Sequence, residues 1–508
     1  MKSSLPIPFP LSTDLQENIE LLLKKLGTSS DVIIRRMDIG IFPDTNAIAL
    51  VYIEGLVKSE AVNDHIIKPL LTSQETEFYW NQEICFHDLL RQALTISHLT
   101  ATIEGVDLLA ALLDGNTAIM ADGYNEALIA GTTGWDKRAI EEPQTQTVVR
   151  GPKESFTEDL RTNTSLLRRK IKSPDLRFIS LRLGRYTQTE VVITYLDGIA
   201  EDQVVQEVKS RLDRIDVDSI LESGYIEGFI EDRTYTPFPT IMNSERPDAV
   251  AAGLLEGQVA IIVDGTPFVL LAPVTFFRFL QSSEDYYQRF DIATFVRCIR
   301  YISFFVSMLL PSCYIAVTTF HQEMLPTTLL ISLAAQREGV PFPAIVEALL
   351  MEITFEVLRE AGIRMPRVIG SAISIVGALV LGQAAVQAGL VSAAMVIVVS
   401  FTAISNFVTP ALNMGIAARL IRFILMLLAG TFGLFGIMAG CMAILIHLAS
   451  LLSFGVPYLT PIAPLALPKF RDILIRVPWA KMPGRPLSKN YTRQAPNMKK
   501  SPPKRDNP

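Results

Sequence analysis

Two runs of this chain, Val368 to Ala418 and Phe423 to Pro468, contain no Asp, Glu, Lys or Arg. A helix on a water-soluble core keeps a polar stripe where it meets solvent, so uncharged runs of this length point to lipid. The 508 residues are 49% hydrophobic and 19% charged, with a mean hydropathy of +0.32. That composition excludes a fully soluble, secreted or disordered chain.

Charge is divided as unevenly as hydropathy. From Lys469 onward there are eleven Lys or Arg and two Asp, while the whole chain has a net charge of −6. An acidic body therefore carries a basic tail, which the positive-inside bias places in the cytoplasm near anionic headgroups. The tail has four prolines between Pro478 and Pro496 and few aromatics to stack on bases, so no nucleic-acid partner is expected. Met1 to Asp14 has no apolar h-region and so no cleavable signal. Cys85, Cys298, Cys313 and Cys441 lack CxxC spacing and read as reduced, packed thiols.

The first half reads as α/β. Ser12, Thr13 and Asp14 precede a helix over Leu15 to Leu26 that Gly27 ends. Strand-like runs follow at 32–36 and 47–53, and helix-like stretches at 62–71 and 84–95. Residues 112–123, Leu-Leu-Asp-Gly-Asn-Thr-Ala-Ile-Met-Ala-Asp-Gly, read as strand, Asp-Gly turn, strand. Residues 254–273 match 112–131 at nine of twenty positions, and Tyr195-Leu-Asp-Gly198 repeats Tyr52-Ile-Glu-Gly55 at nearly the same offset. Two matches at one offset predict a duplicated unit. Between the copies lies an amphipathic helix, with Phe156, Leu160, Asn163 and Leu167 at helical spacing beside Arg161, Arg168, Arg169 and Lys170. It reads either as a linker packed on one lobe or as a contact surface for partner subunits.

Arg150-Gly-Pro-Lys-Glu-Ser-Phe156 with Asn163 and the following Leu-Leu-Arg-Arg-Lys-Ile run resembles the A subunit of spore germinant receptors, the GerA family. So do Thr236-Pro-Phe-Pro-Thr240, Glu245-Arg-Pro-Asp248, the stretch from Leu255 to Phe268, Glu284-Asp-Tyr-Tyr287 and Arg359-Glu-Ala-Gly-Ile-Arg-Met-Pro366. The resemblance implies a nutrient-responsive receptor in the spore inner membrane, working with a multi-spanning B subunit and a lipoprotein C subunit. It also implies that A subunits form a homo-oligomer that conducts ions. Arg150, Glu154 and Asn163, carried over from the motif, are the candidates for a connector contact that holds lobes and partners in register.

The membrane half begins with Tyr301 to Phe320, twenty uncharged residues with Pro311 in the middle, preceded by Arg289, Arg297 and Arg300 on an expected cytoplasmic side. Residues 368–418 suit two spans that reverse near Gly389. Phe423 to Ser453 is one long or bent span, ended by Pro457, Pro461, Pro464 and Pro468. Four spans put both ends in the cytoplasm but leave the arginines of 321–367 outside; a re-entrant or interfacial arrangement of 324–335 and 341–360 eases that conflict, and five or six crossings are the alternative count. The expected fold is thus a duplicated two-lobe α/β soluble domain, an α-helical multi-spanning transmembrane domain and a short basic tail. Its parts are an N-terminal helix (1–27), lobes 28–132 and 173–275, a basic connector helix (133–172), a juxtamembrane segment (276–300), the membrane domain (301–460) and the tail (461–508).

Two features there bear on ion passage. Glu352 and Glu356 share a helix face, with Glu347 rotated away, and read either as acids at a cation pore mouth or as a surface helix in which Glu356 pairs with Arg359. Val376, Val380, Gln383 and Gln387 share a face opposite Ser371, Ser374, Ala378, Gly382 and Ala385. They read as a valine gate with glutamines that coordinate partly hydrated monovalent cations, or as a buried glutamine pair inside a bundle. The small-residue stripe Gly430, Gly433, Gly436 and Gly440 reads as helix packing, and His447 as a hydrogen-bonded packing residue. Cys85 and His87 lack the further ligands of a zinc site. No nucleotide loop, HExxH or GxSxG occurs, so neither metal, cofactor nor enzymatic activity is expected. A secondary transporter, a lipid-handling membrane protein or a non-conducting scaffold are the competing functions.

Overall fold

The structure is a computed structural model that describes residues 9–38, 47–72, 94–96, 98–134, 142–364, 380, 382–465 and 472–478. The chain divides into two compact units. One contains the residues up to Glu231 together with Asn243–Pro273; the other contains Asp232–Met242 and the chain from Val274 to Pro483.

The first unit is built from a repeat. Its first copy has α1 (Leu15–Leu26), β1 (Val32–Asp38), β2 (Ala47–Ile53), and a helical stretch of α2 (Ser59–Val62), a π-turn (Asn63–Ile67) and α3 (Lys68–Thr72). It continues with β3 (Leu99–Thr102), α4 (Gly105–Leu113), β4 (Thr117–Ala121) and β5 (Ala127–Ala130). The second copy has α5 (Leu160–Lys170), β6 (Leu176–Leu183), β7 (Thr189–Leu196), α6 (Asp202–Asp213) and α7 (Ser223–Ile230). It closes with β8 (Met242–Ser244), α8 (Pro247–Glu256), β9 (Val259–Val263) and β10 (Val269–Ala272). The strand orders are β1-β2-β4-β5-β3 and β6-β7-β9-β10-β8, the same permutation twice. The first sheet is covered on both faces, which explains its nearly continuous apolar strands. Ala49, Val51 and Ile53 pack with α1 and α4, while Ile48 and Leu50 pack with Val62, Ile66 and Leu70.

The repeat extends to the opening helices. Asp14 caps α1 and Asp159 caps α5. The Leu15 amide donates to Asp122 Oδ1 at 3.1 Å, as the Leu160 amide donates to Asp264 Oδ1 at 3.3 Å. Asn18 exchanges a pair of hydrogen bonds with the Ser12 backbone, and Asn163 does the same with Thr157. The helix read above as a connector is therefore the first helix of the second repeat, and α1 that of the first. The helices Leu15–Leu26 and Leu160–Lys170 thus belong to the lobes rather than standing apart from them.

The expected hairpin at 112–123 is also corrected. Leu112 and Leu113 end α4, and the Asp114-Gly115 turn leads from helix to strand, with Gly115 at φ +86°. The true β-hairpin turn is Asp122-Gly123, between β4 and β5. Its copy is Asp264-Gly265, between β9 and β10. Leu108, Leu109, Leu112 and Leu113 form one buried helical stripe, but a short apolar run has no period that distinguishes a strand from a buried helix. Most of the helix-like stretch at 84–95, with Cys85 and His87, lies outside the described residues.

The second unit is helical. It holds α9 (Phe290–Thr319), α10 (Thr327–Arg337), α11 (Ala344–Arg364), α12 (Ala393–Phe407) and α13 (Leu412–Ser450), then a short hairpin, β11 (Leu452–Ser453) and β12 (Val456–Pro457). Of the described helices, α9 and α13 are long and apolar enough to cross a membrane; α12, with 15 residues, is shorter. Its core joins Ile315, Ala316, Ala348, Met395, Val399, Met426 and Ala429. The first long helix starts at Phe290 rather than 301, so Arg297 and Arg300 lie within it. Both are buried and bind Asp285, at 3.1 and 2.6 Å. A turn does fall at Gly389 (φ +67°), while Val376 and the rest of 365–379 are outside the described residues. The last long helix is bent: Gly433 has φ 59° and ψ −141°.

Candidate functional site

In the lobes, the motif residues tie the second repeat together. The buried Glu245 carboxylate accepts from the Thr145 amide and hydroxyl and from the Gln146 amide. Its carbonyl accepts from Ser155 Oγ and the Phe156 amide. Arg246 pairs with Asp248 at 2.8 Å and donates to the Pro152 carbonyl. Two motifs about 90 residues apart are thus one knot, in which the charges of Glu245, Arg246 and Asp248 are used internally.

The three connector candidates do not converge. Arg150 is exposed. Glu154 binds Lys170 at 2.9 Å and Arg169 at 3.5 Å, on the helix that follows it. Asn163 is fully buried and clamps the Thr157 backbone, so it offers no surface to a partner. Among the residues that join the two lobes, with Arg161 to Glu54 and Lys172 to Asp114, is the buried Arg168. Its guanidinium meets Asp31 through Nε and Nη2 at 2.7 and 3.0 Å, donates to Ser29 Oγ, and lies 4.8 Å from the Phe178 ring. Beside it, a cleft of about 430 Å³ is lined by Lys58, Arg161 and Arg169 with Glu60, Ser59, Thr162 and Ser165. Two of its cations are already paired, Arg161 with Glu54 and Glu190 and Arg169 with Glu154.

In the helical unit the acids are paired. Arg419 and Arg422 are the only charged residues between Val368 and Pro468. In an apolar setting such groups need carboxylates within reach. Arg422 meets Glu352 at 2.9 Å with both side chains buried, and Glu356 bonds Arg359 at 2.5 Å and Arg419 at 2.8 Å. Neither acid is free at a pore mouth within this chain. Glu347, also buried, accepts from the Ser392 amide and hydroxyl at 2.6 and 2.5 Å. The two arginines that interrupt the uncharged runs were the available sequence signal for this network, and spacing on the acidic helix alone did not lead to them.

Val380, Gln383 and Gln387 are exposed, whereas Gly382 between them is buried, with its missing Cβ position 3.6 Å from Val396 of α12. Valine and glutamines thus face away from the chain's own core. The second unit also includes a strap from the lobe sequence, Asp232–Met242. Thr236 Oγ1 lies 2.8 Å from His447 Nε2, Tyr458 donates to the Pro239 carbonyl, and Ser453 donates to the Thr240 carbonyl. The Thr236-to-Thr240 motif therefore holds the end of α13.

A duplicated α/β unit together with a helical unit holding two helices long and apolar enough to cross a membrane points to a membrane-associated protein. The family model described as "Bacillus/Clostridium GerA spore germination protein" matches residues 20–488. Spore germination protein KA of Bacillus subtilis is 51% identical over 95% of this chain and 88% of its own length. Spore germination protein GerLA of Bacillus cereus is 38% identical over 94% and 96%, and the uncharacterized membrane protein YfkQ of Bacillus subtilis 46% over 94% and 91%. The crystal structure of the N-terminal domain of the A subunit of the Bacillus megaterium spore germinant receptor GerK3 is 41% identical, covering 53% of this chain and 98% of that one, with a TM-score of 0.41. The chain belongs to the GerA family of spore germination proteins.

Proposed function

We propose that the chain is the A subunit of a nutrient-responsive germinant receptor, that copies of it assemble in the spore inner membrane with B and C subunits, and that the assembled helices conduct monovalent cations. The observation that carries this reading is the outward face of Val380, Gln383 and Gln387, backed by a buried glycine. A helix that packs through small residues and turns branched apolar and amide groups away from its own chain is suited to line a shared axis.

An even number of crossings, four in the simplest case, accompanies this reading. Arg297 near the start of α9 donates to the carbonyls of Asp472 and Ile473, and the Arg476 amide donates to Thr294 Oγ1. The chain that follows α13 thus returns to the end where α9 begins. With the basic tail inside, that end is cytoplasmic.

The test is cation flux from vesicles that contain the complete receptor. Nutrient evokes a monovalent-cation current, and Val380→Ala produces a leak without nutrient. Absence of current in a receptor that still binds its partners removes the channel and favours a scaffold. Proton-coupled solute uptake that Glu352→Gln abolishes replaces it with a transporter.

A further inference from the structure

We propose that the groove between α11 and α12 is a binding site for one anionic phospholipid, its acyl chain lying in the groove and its phosphate against Arg359. The groove has a volume of about 700 Å³ and is lined by Leu350, Phe355, Val399, Ile404 and Phe407, with Arg359 as its one charged wall. Its lining is otherwise almost wholly apolar, which suits hydrocarbon and not a soluble nutrient. The inference rests on the membrane setting of this unit and is independent of whether the unit conducts.

Charge selects the headgroup. Around Arg359 lie Arg419 and Arg422 with Glu352 and Glu356, three cations against two carboxylates. The cluster has one positive charge in excess. The Nε–H groups of Arg359 and Arg419 are buried without an acceptor. A phosphodiester supplies the missing charge at Arg359, the guanidinium that lines the groove, and guanidinium groups bind phosphate in fork geometry. A zwitterionic headgroup brings its own cation and satisfies this excess less well. Position agrees: Arg419 lies four residues before the uncharged run that starts at Phe423, where a span meets the headgroup layer.

The experiment uses the full chain, purified from membranes in detergent, with lipid retention read by native mass spectrometry. Dioleoyl phosphatidylglycerol is retained at one copy per chain and dioleoyl phosphatidylcholine is displaced by it. Arg359→Gln weakens phosphatidylglycerol binding about fivefold, the effect of one cation near an anionic headgroup. Arg359→Lys retains most of it, and Ala403→Phe, which fills the groove, removes both lipids. Glycerol 3-phosphate, the headgroup without chains, does not compete; competition by it or by inorganic phosphate overturns the lipid assignment in favour of a plain anion site. Equal retention of the two lipids, or an unchanged Arg359→Gln protein, overturns the headgroup assignment. A groove shielded by a second copy of the chain, seen as lipid-free oligomers, overturns it as well. Failure of the chain to enter the membrane fraction is a separate result and defeats the membrane reading itself.

Discussion

Arg168 and Asp31, 137 residues apart, form a bidentate ion pair of 2.7 and 3.0 Å in which both side chains are almost wholly buried. It joins the opening helix of the second repeat to the loop before β1 of the first. Removing one member leaves the other charged and desolvated, a loss of about 3–5 kcal/mol. Arg168→Met or Asp31→Leu alone therefore lowers the unfolding midpoint of the lobes, and the double substitution recovers much of the loss. Additive single effects in this double-mutant cycle show that the pair is not coupled.

Two carboxylates, Glu222 at the N-cap of α7 and Glu227 within it, respond oppositely to their surroundings. Glu222 is partly buried, but hydrogen bonds from Ser223, Gly224 and Thr266 outweigh that burial and hold its carboxyl below the ordinary range. Burial, with Glu231 and Glu222 nearby, pushes Glu227 from 4.5 up to about 7. The folded lobe keeps the Glu227 proton where the unfolded chain has released it, so this contribution is complete below 4.5 and declines as pH rises to about 7. Glu227→Gln abolishes the decline. Thermal midpoints of the two proteins converge at low pH and separate toward pH 8 (~1 unit above the shifted value), with the glutamine variant more stable. Parallel curves across this range show that Glu227 titrates normally.

In the helical unit, Arg422→Leu strands the Glu352 carboxylate among apolar side chains and costs about 3–5 kcal/mol. The protein loses detergent-resistant folding, measured as the temperature at which it aggregates. Glu352→Leu combined with Arg422→Leu restores it, because two apolar groups need no partner. If the single variant melts with the wild type, the pair is not desolvated.

Gly433 bends α13 through a left-handed backbone, and a Cβ there meets His321 Cε1 at 2.8 Å and Phe320 Cβ at 3.0 Å. Gly433→Ala adds to that clash the strain of a backbone region essentially reserved for glycine, a cost of about 1–3 kcal/mol. Germination slows and the helical unit melts earlier. Gly455→Ala also sits at positive φ but meets nothing within 4 Å, so it reports the backbone penalty alone. Equal loss in the two variants assigns no role to the Gly433 contact.

Some of this architecture was legible from local pattern. The uncharged runs located the membrane-suited half, because desolvating a charge is costly wherever it occurs in sequence. The matching offset between residues 112–131 and 254–273 announced two copies of one lobe, and the motifs led to the GerA family. Less legible were the limits of each copy. Leu108 to Leu113 suits a strand or a helix by composition, and only the sheet against which it packs makes it α4. The Asn163 motif reads as a surface contact until Asn18 is seen making the same clamp in the first repeat.

The amino-acid order by itself determined where the uncharged, membrane-suited runs lie, that the α/β unit is doubled, and that acids and arginines stand in the apolar half. Tertiary structure decided which of them meet: Asp31 with Arg168, Glu352 with Arg422, Thr236 with His447. The reason is that hydropathy is a property of a segment, whereas a buried charge or hydroxyl is satisfied by an atom within about 3 Å, which chain folding supplies from more than sixty residues away in each of these pairs.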